Sequence, residues 1–286
     1  MKKAFSIFLL AAASFFMAES VFLSAIFAAE VSAEPNSQAV PASSTPLAAI
    51  IVSDSHYRAD TLFPELAPWL EENYGIRTVI IHGHGGGDFE NIDQLKNADI
   101  ALLYVRRISP KTEQLELFKE YLQSGRPLMA FRTSSHAFAL SFDGKKKPAE
   151  GFSEWREFDA EVLGGNYHNH GPNDQGTRVT TLQAAKNHPI FKDVDTAAYH
   201  SNGSLYFTLP IAEDAELFQV GSVMCRREPL TWLRKNEWGG LVFYSALGHW
   251  DDFQDIRFRR MIGNAIQYLC EETEKMKVKS SVSEKK

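Results

Sequence analysis

The sequence predicts an α/β domain built on a doubly wound, mainly parallel sheet with helices on both faces. Three observations predict it. Short continuous apolar runs recur through the first half of the chain, as strands buried on both faces of a parallel sheet require. Segments with helical spacing alternate with these runs. The runs end, one after another, in clusters of polar residues, and an open α/β sheet forms its ligand crevice at that edge.

The first 33 residues stand outside the domain. Lys2 and Lys3 precede an apolar run from Ala4 to about Ala29, and Ala28, Ala29 and Ala33 supply small residues for cleavage. This pattern predicts a secretory signal peptide, hence export to the periplasm or the medium. An uncleaved anchor is the alternative. Residues 34–46, rich in Pro, Ser and Ala, predict a flexible linker. The domain is expected over 47–272, followed by a charged, disordered tail over 273–286. No later stretch is apolar enough to span a bilayer, so no stable span is expected once the signal is removed.

Within the domain, LAAIIVSD reads as the first buried strand. TLFPELAPWLEENYG follows, with Leu62, Leu66, Trp69 and Leu70 on one helical face and Gly75 as its stop. RTVIIHGH is a strand, DFENIDQLKN a short helix and ADIALLYVR a strand. In SPKTEQLELFKEYLQSG, Ser109 is placed to cap a helix, Pro110 suits its first position and Gly125 ends it. PLMAF is then a buried strand that breaks into the polar turn RTSSH. Beyond it FSEWREFDAEVLGG reads as helix, and TRVTTLQ, SLYFTLP and AELFQVGSV as strands. EPLTWLRKNEWGGLVFYSALGHW reads as two strands around a turn at Gly239 and Gly240. DIRFRRMIGNAIQYLC is an amphipathic closing helix.

The formal net charge of −6 leaves no basic footprint for nucleic acid. Two cysteines far apart, Cys225 and Cys270, make no disulfide framework. HGHGGG lacks the Lys-Ser/Thr of a phosphate loop and reads as a flexible pocket edge. His168 and His170, two apart in GGNYHNH, are placed for one side of an extended segment; no further ligand pattern accompanies them, so no metal and no cofactor is expected. At the strand ends stand Ser55, His56 and Tyr57, then His82 and His84, then Arg106 and Arg107, then Arg132, Thr133, Ser134, Ser135 and His136, and last His249 and Trp250.

GGNYHNH, NHPIF and above all GGLVFYSALGHW resemble the ThuA-like (trehalose-utilisation) proteins over about Ala48–Leu269. The resemblance implies a flavodoxin-like fold of the class I glutamine amidotransferase-like superfamily. There the strand–turn–helix elbow carries a catalytic cysteine. Here Thr133 falls at or next to that position, Ser134 matches the serine of the family's turn, and His249 falls on the catalytic histidine. With no cysteine, thiol-based glutamine hydrolysis is not available.

Three functions fit this reading. The first is an exported protein acting on a sugar or sugar derivative, with keto-sugars implied by the resemblance. In it His249 is general acid/base, Arg132 orients a substrate oxygen, and Thr133 and Ser134 donate hydrogen bonds. Ser55, His56, Tyr57, His136, His168, His170 and Trp250 line the ligand, with Tyr57, Trp250 or Trp155 stacking on a sugar face. The second is a carbohydrate-binding domain without turnover. The third is a serine hydrolase pairing Ser134 or Ser135 with His249, which needs a carboxylate such as Asp252 or Asp255 behind the histidine. The sequence is silent on the oligomeric state.

Overall fold

The computed structural model describes residues 45–84 and 87–283. The expected signal peptide and all but the last two residues of the expected linker lie outside them, as do Gly85 and Gly86.

The chain opens with β1 (Leu47–Ser53), α1 (Ala59–Tyr74), β2 (Arg77–His84) and the short β3 (Asp88–Phe89). β4 (Ile100–Val105), α2 (Thr112–Gln123) and β5 (Leu128–Phe131) follow. The second half is strand-rich: β6 (Asn169–His170), β7 (Thr177–Thr181), β8 (Tyr199–Ser201), β9 (Tyr206–Phe207), β10 (Glu216–Val223), β11 (Arg226–Lys235) and β12 (Leu241–Ser245). α3 (Ile256–Ser283) closes the chain.

Ten strands form one sheet in the order β3-β2-β1-β4-β5-β12-β11-β10-β7-β8. From β2 to β12 the strands run parallel. β11, β10, β7 and β8 extend the sheet antiparallel beyond β12, and β3 pairs antiparallel with β2. The fold is flavodoxin-like, with a large antiparallel wing. Every residue of β4, β5 and β12 is buried, as the continuous apolar runs require.

The chain leaves β1 for β2 on one side and later crosses to β4 on the other. Right-handed crossovers in opposite directions put α1 and α2 on opposite faces of the sheet. α3 packs against α1 and joins its face. Pro64 and Pro68 lie inside α1 but on its exposed side, where water serves the carbonyls they leave free. Gly75 ends α1 at φ 65°, its N–H returning to the Glu71 carbonyl and that of Ile76 to the Leu70 carbonyl.

Four local expectations are corrected. α2 starts at Thr112, not after Ser109, because Gly151–Ser153 bonds the backbone of Pro110 and Thr112 and holds 109–111 extended. FSEWREFDAEVLGG winds only over Asp159–Leu163: Ser153 and Trp155 donate their N–H groups to Pro110 and Phe138, and the Trp232 indole bonds the Leu163 carbonyl. In SLYFTLP only Tyr206–Phe207 is strand, and it pairs with β6 outside the main sheet. α3 runs past Cys270 to Ser283, through the segment expected as a disordered tail. Lys275–Glu272 and Lys277–Glu274 pairs one turn apart support it there.

Phe63, Phe131, Phe253 and Phe258 form a ring cluster beneath the end of β5, with centroids 5.2–6.2 Å apart. Each ring taken out of water contributes roughly 1.5–3 kcal/mol. The turn after β5 therefore stands on a rigid base.

Candidate functional site

β5 ends at Phe131, and Arg132 turns the chain with φ 41°, a conformation uncommon for a side chain of this size. A nucleophile elbow holds its exposed residue on such a strained strand-to-helix turn. Here the tip is Arg132 rather than Thr133, and the turn Arg132–His136 is buried throughout. The Arg132 guanidinium lies between the rings of Tyr57 and Tyr206, 4.5 and 4.4 Å from their centroids. It donates to the Ala246 carbonyl at 2.9 Å, the Tyr57 hydroxyl at 3.1 Å, and the Ser204 carbonyl and hydroxyl at 3.3 and 3.2 Å. Its Nε has no partner among the described residues.

The other elbow hydroxyls also turn inward. Thr133 donates to Asp54 Oδ2 at 2.7 Å and Ser134 to the Leu103 carbonyl at 2.7 Å. Ser135 donates to the Arg132 carbonyl at 3.1 Å, with His136 Nδ1 3.2 Å away. Asp54 Oδ1 accepts the N–H groups of His56 and Tyr57 at 2.7 and 3.1 Å. That carboxylate folds the loop after β1 so that Ser55 and His56 face solvent while Tyr57 turns in.

The loop after β12 is held by Asp252, whose Oδ2 accepts the N–H groups of Gly248 and His249 at 2.8 and 2.9 Å and whose Oδ1 accepts the Ser201 hydroxyl at 2.7 Å. This presents His249, 8% exposed, beside Trp250, 38% exposed, with ring centroids 3.7 Å apart. Tyr57 lies 6.0 Å from the His249 ring and 6.3 Å from that of Trp250. His249 Nδ1 sits 3.4 Å from both the N–H and the carboxylate of Asp251. That carboxylate accepts from the Asn202 amide at 2.7 Å. Burial lowers the His249 pKa, the Asp252 and Asp251 carboxylates oppose the shift, and the Arg132 charge adds to it.

A cavity of about 400 Å³ opens at the carboxyl ends of β1, β2 and β4, lined among others by Ser53, Asp54, Ser55, His82, His84 and Arg106. The strand order reverses between β1 and β4, so this is the switch point where doubly wound sheets hold ligands. Its volume lies in the range of small-molecule sites.

The profile of the ThuA family, described as trehalose utilisation, matches residues 70–269. The chain belongs to the ThuA family. A protein described as ThuA-like from Bacteroides uniformis has a similar structure, with a TM-score of 0.55 at 18% identity over 80% of this chain and 94% of that one. One from Parabacteroides merdae has a TM-score of 0.52 at 12% identity over 79% and 90% of the two chains. A β-galactosidase from Bacillus circulans shares the fold over 79% of this chain and 31% of its own length, with a TM-score of 0.50 at 14% identity. At these identities the likeness is one of fold. No curated protein sequence matches.

In this ThuA-family chain the structure gathers Tyr57, Arg132, His249 and Trp250, with Ser55 and His56 on the loop beside them. Arg132, Thr133 and Ser134, at 1%, 0% and 0% exposure, form the floor, and apart from Arg132 Nε their side-chain donors meet protein groups. Among the described residues neither Ser134 nor Ser135 hydrogen-bonds His249, so the serine-hydrolase arrangement is not assembled. Asp252 serves the backbone and Asp255 pairs with Arg257; Asp251, next to His249 in sequence but one, is the carboxylate at its ring. Trp155 packs on Phe158 and Trp238, apart from this cluster.

His136 stacks on Tyr167 at 4.7 Å and borders a second cavity of about 140 Å³ with Ser135 and Asp159. Burial, with the Arg107 and Arg106 charges, holds its imidazole neutral. His168 and His170 are exposed, and their Nδ1 atoms lie 2.9 and 2.7 Å from the Asn166 and Gly171 carbonyls. Among the described residues no three His, Cys, Asp or Glu side chains converge as metal ligands, and no helix is long and apolar enough to cross a membrane. Cys225 and Cys270 are free thiols.

Sequence reasoning missed Asn202, Gly203, Ser204 and Tyr206. A Cβ on Gly203 would stand 2.9 Å from Arg132 Nη1 and 3.1 Å from His249 Cβ. Only glycine lets this segment lie across both residues. Nothing in SNGSLYF marks it, because its partners come from three distant strand ends.

Proposed function

We propose that this ThuA-family protein is an exported enzyme that acts on a sugar or sugar derivative, keto-sugars included, with His249 as general acid and base. The observation that carries the reading is the pairing of His249 with Asp251. With its Nδ1–H turned to the Asp251 carboxylate, the neutral ring keeps the Nε2 lone pair free to take a substrate proton, and the imidazolium so formed holds the same contact until it returns the proton. The 3.4 Å distances are long, as unliganded catalytic contacts often are. The lowered pKa keeps His249 neutral, and hence basic, near neutral pH. A keto group acidifies the C–H bonds beside it, and an imidazole base suits the removal of such a proton. Tyr57 and Trp250 offer ring faces next to His249, and the hydroxyl, carboxylate and imidazole lining of the large cavity suits a ligand whose groups both donate and accept.

A binding domain without turnover is the second reading. It is favoured by the elbow, whose hydroxyls are all engaged with protein groups. A thermal-shift screen with mono- and disaccharides and their keto forms separates the two, because binding stabilises the native state by mass action. Stabilisation plus turnover that His249→Asn abolishes supports the enzyme. Stabilisation with no turnover supports the binder. No stabilisation by any sugar overturns both.

A further inference from the structure

The charges around the 400 Å³ cavity do not balance. Asp54, at its wall, is consumed: its two oxygens accept from Thr133 and from the N–H groups of His56 and Tyr57. Nearby, Lys111 is paired with Asp88 at 2.7 Å and His84 with Glu90 at 3.1 Å. Arg106 and Arg107 follow β4 side by side and part-buried, and neither guanidinium has a hydrogen-bond or carboxylate partner among the described residues. Arg107 lies over the Phe142 ring, 4.1 Å from its centroid, whereas Arg106 lines the cavity. Burial first, then the charge of Arg106, lowers the Arg107 pKa, with Tyr167 and Tyr206 opposing the shift. Asp60, the other carboxylate of the lining, is exposed at the rim.

This is unusual on a chain whose formal net charge is −6. An arginine leaves water at a cost unless an anion meets it, and its planar fork matches a carboxylate or phosphate bidentately. One further feature favours an anion. His82, on β2, lines the same cavity, and its imidazole can add a ring N–H donor beside Arg106.

We propose that the ligand of this cavity is an acidic sugar, bearing a carboxylate or a phosphate, whose oxyanion is received by Arg106. The inference rests on the sugar reading and names its substrate class: the anion docks at Arg106 and the hydroxyl-bearing ring extends toward Tyr57, Trp250 and His249. The charges of Arg106 and Arg107 draw such a ligand in, and salt weakens the attraction.

The test is calorimetric titration of the full chain with glucose, glucuronate, glucose 6-phosphate and inorganic phosphate, on wild type, Arg106→Gln, Arg106→Lys and the exposed-hairpin control Arg227→Gln. Expected is at least about tenfold tighter binding of one of the acids than of glucose, the worth of one charge-assisted contact. Whichever of glucuronate and glucose 6-phosphate wins names the oxyanion. Arg106→Gln is expected to abolish the preference with its melting temperature unchanged, Arg106→Lys to retain part of it, and Arg227→Gln to leave it intact. Glucose binding as tightly as both acids, or an acid preference that survives Arg106→Gln, overturns the inference while leaving the sugar reading standing. Binding of phosphate that Arg106→Gln removes, with no sugar bound, supports the anion site and overturns the sugar reading instead. Silence from all four probes overturns both.

Discussion

Arg132 is stacked on Tyr57: its guanidinium carbon lies 4.5 Å from the ring centroid, and its Nη2 donates to the same residue's hydroxyl at 3.1 Å. Tyr57 is the ring that faces His249 and Trp250. The buried charge therefore sets the position of the aromatic wall without touching the space in front of it. A desolvated stack of this kind is worth about 2 kcal/mol per ring.

Arg132→Ala is accordingly expected to act on stability first. It removes two stacks and leaves the carbonyls of Ala246 and Ser204 without their donors. The cost is expected at about 3–5 kcal/mol, or roughly 10 °C in melting temperature for a domain of this size. Arg132→Lys should recover little, since an ammonium cannot stack on both rings and reach all four acceptors. Calorimetric melting checks both; a melting temperature within experimental error of wild type for Arg132→Lys would show that the fork is dispensable.

Ser134 is expected to behave as a structural hydroxyl. It is fully buried and joined to the Leu103 carbonyl at 2.7 Å. Ser134→Ala should cost about 1–3 kcal/mol by orphaning that contact. Fluorophosphonate probes should leave the protein unmodified, and mass-spectrometric detection of a label on Ser134 or Ser135 would return the serine-hydrolase reading to the table.

If His249 is the base, activity should fall as pH drops through its pKa, and that pKa lies below the usual histidine value because burial lowers it. The acid limb of the rate profile should therefore sit below about pH 6.5, with a plateau at neutrality. Asp251 opposes the shift, so Asp251→Asn should move the limb to still lower pH. His249→Asn should reduce turnover by about 10²–10⁴-fold. A limb that Asp251→Asn moves upward would contradict the assignment.

Asp159 carries a pH signature of its own. Burial raises its carboxyl to about 7, against the Tyr167 N–H that bonds it, while its Oδ1 has no partner. The unfolded value is about 3.9. Between the two the folded chain keeps a proton that the unfolded chain has released, so this group's contribution to stability falls as pH rises from about 4 to about 7. The whole shift corresponds to roughly 4 kcal/mol. Asp159→Asn should gain on wild type between pH 5 and pH 8 in urea unfolding; a constant difference between the two proteins would sink the prediction.

Export is testable at the other end of the chain. The two lysines, the apolar run and the small residues at Ala28, Ala29 and Ala33 place the mature N-terminus between about Ala29 and Glu34. N-terminal sequencing of the protein recovered outside the cytoplasm checks this, and a chain that still begins at Met1 would refute it.

The sequence by itself determined the parallel core, the closing pair β11–β12 and the edge of the sheet at which polar residues gather. Those are local matters: a strand buried on both faces must be apolar along its length, and its polar neighbours must fall at its ends. Only the tertiary structure decided what each polar residue does. RTSSH reads as an array of donors facing a ligand, but Leu103, Asp54, Ala246, Ser204 and Tyr57 arrive from four other segments and receive the Thr133 and Ser134 hydroxyls and both terminal nitrogens of Arg132, while Ser135 turns back to the Arg132 carbonyl. Arg106, one of a run of polar residues at the strand ends, makes no side-chain hydrogen bond or ion pair among the described residues, because Asp54 beside it in the cavity wall is taken up by Thr133 and the N–H groups of His56 and Tyr57. Whether a charged side chain is a strut or a receptor depends on which partners the fold brings within about 3 Å, and that distance is not written in the order of the residues.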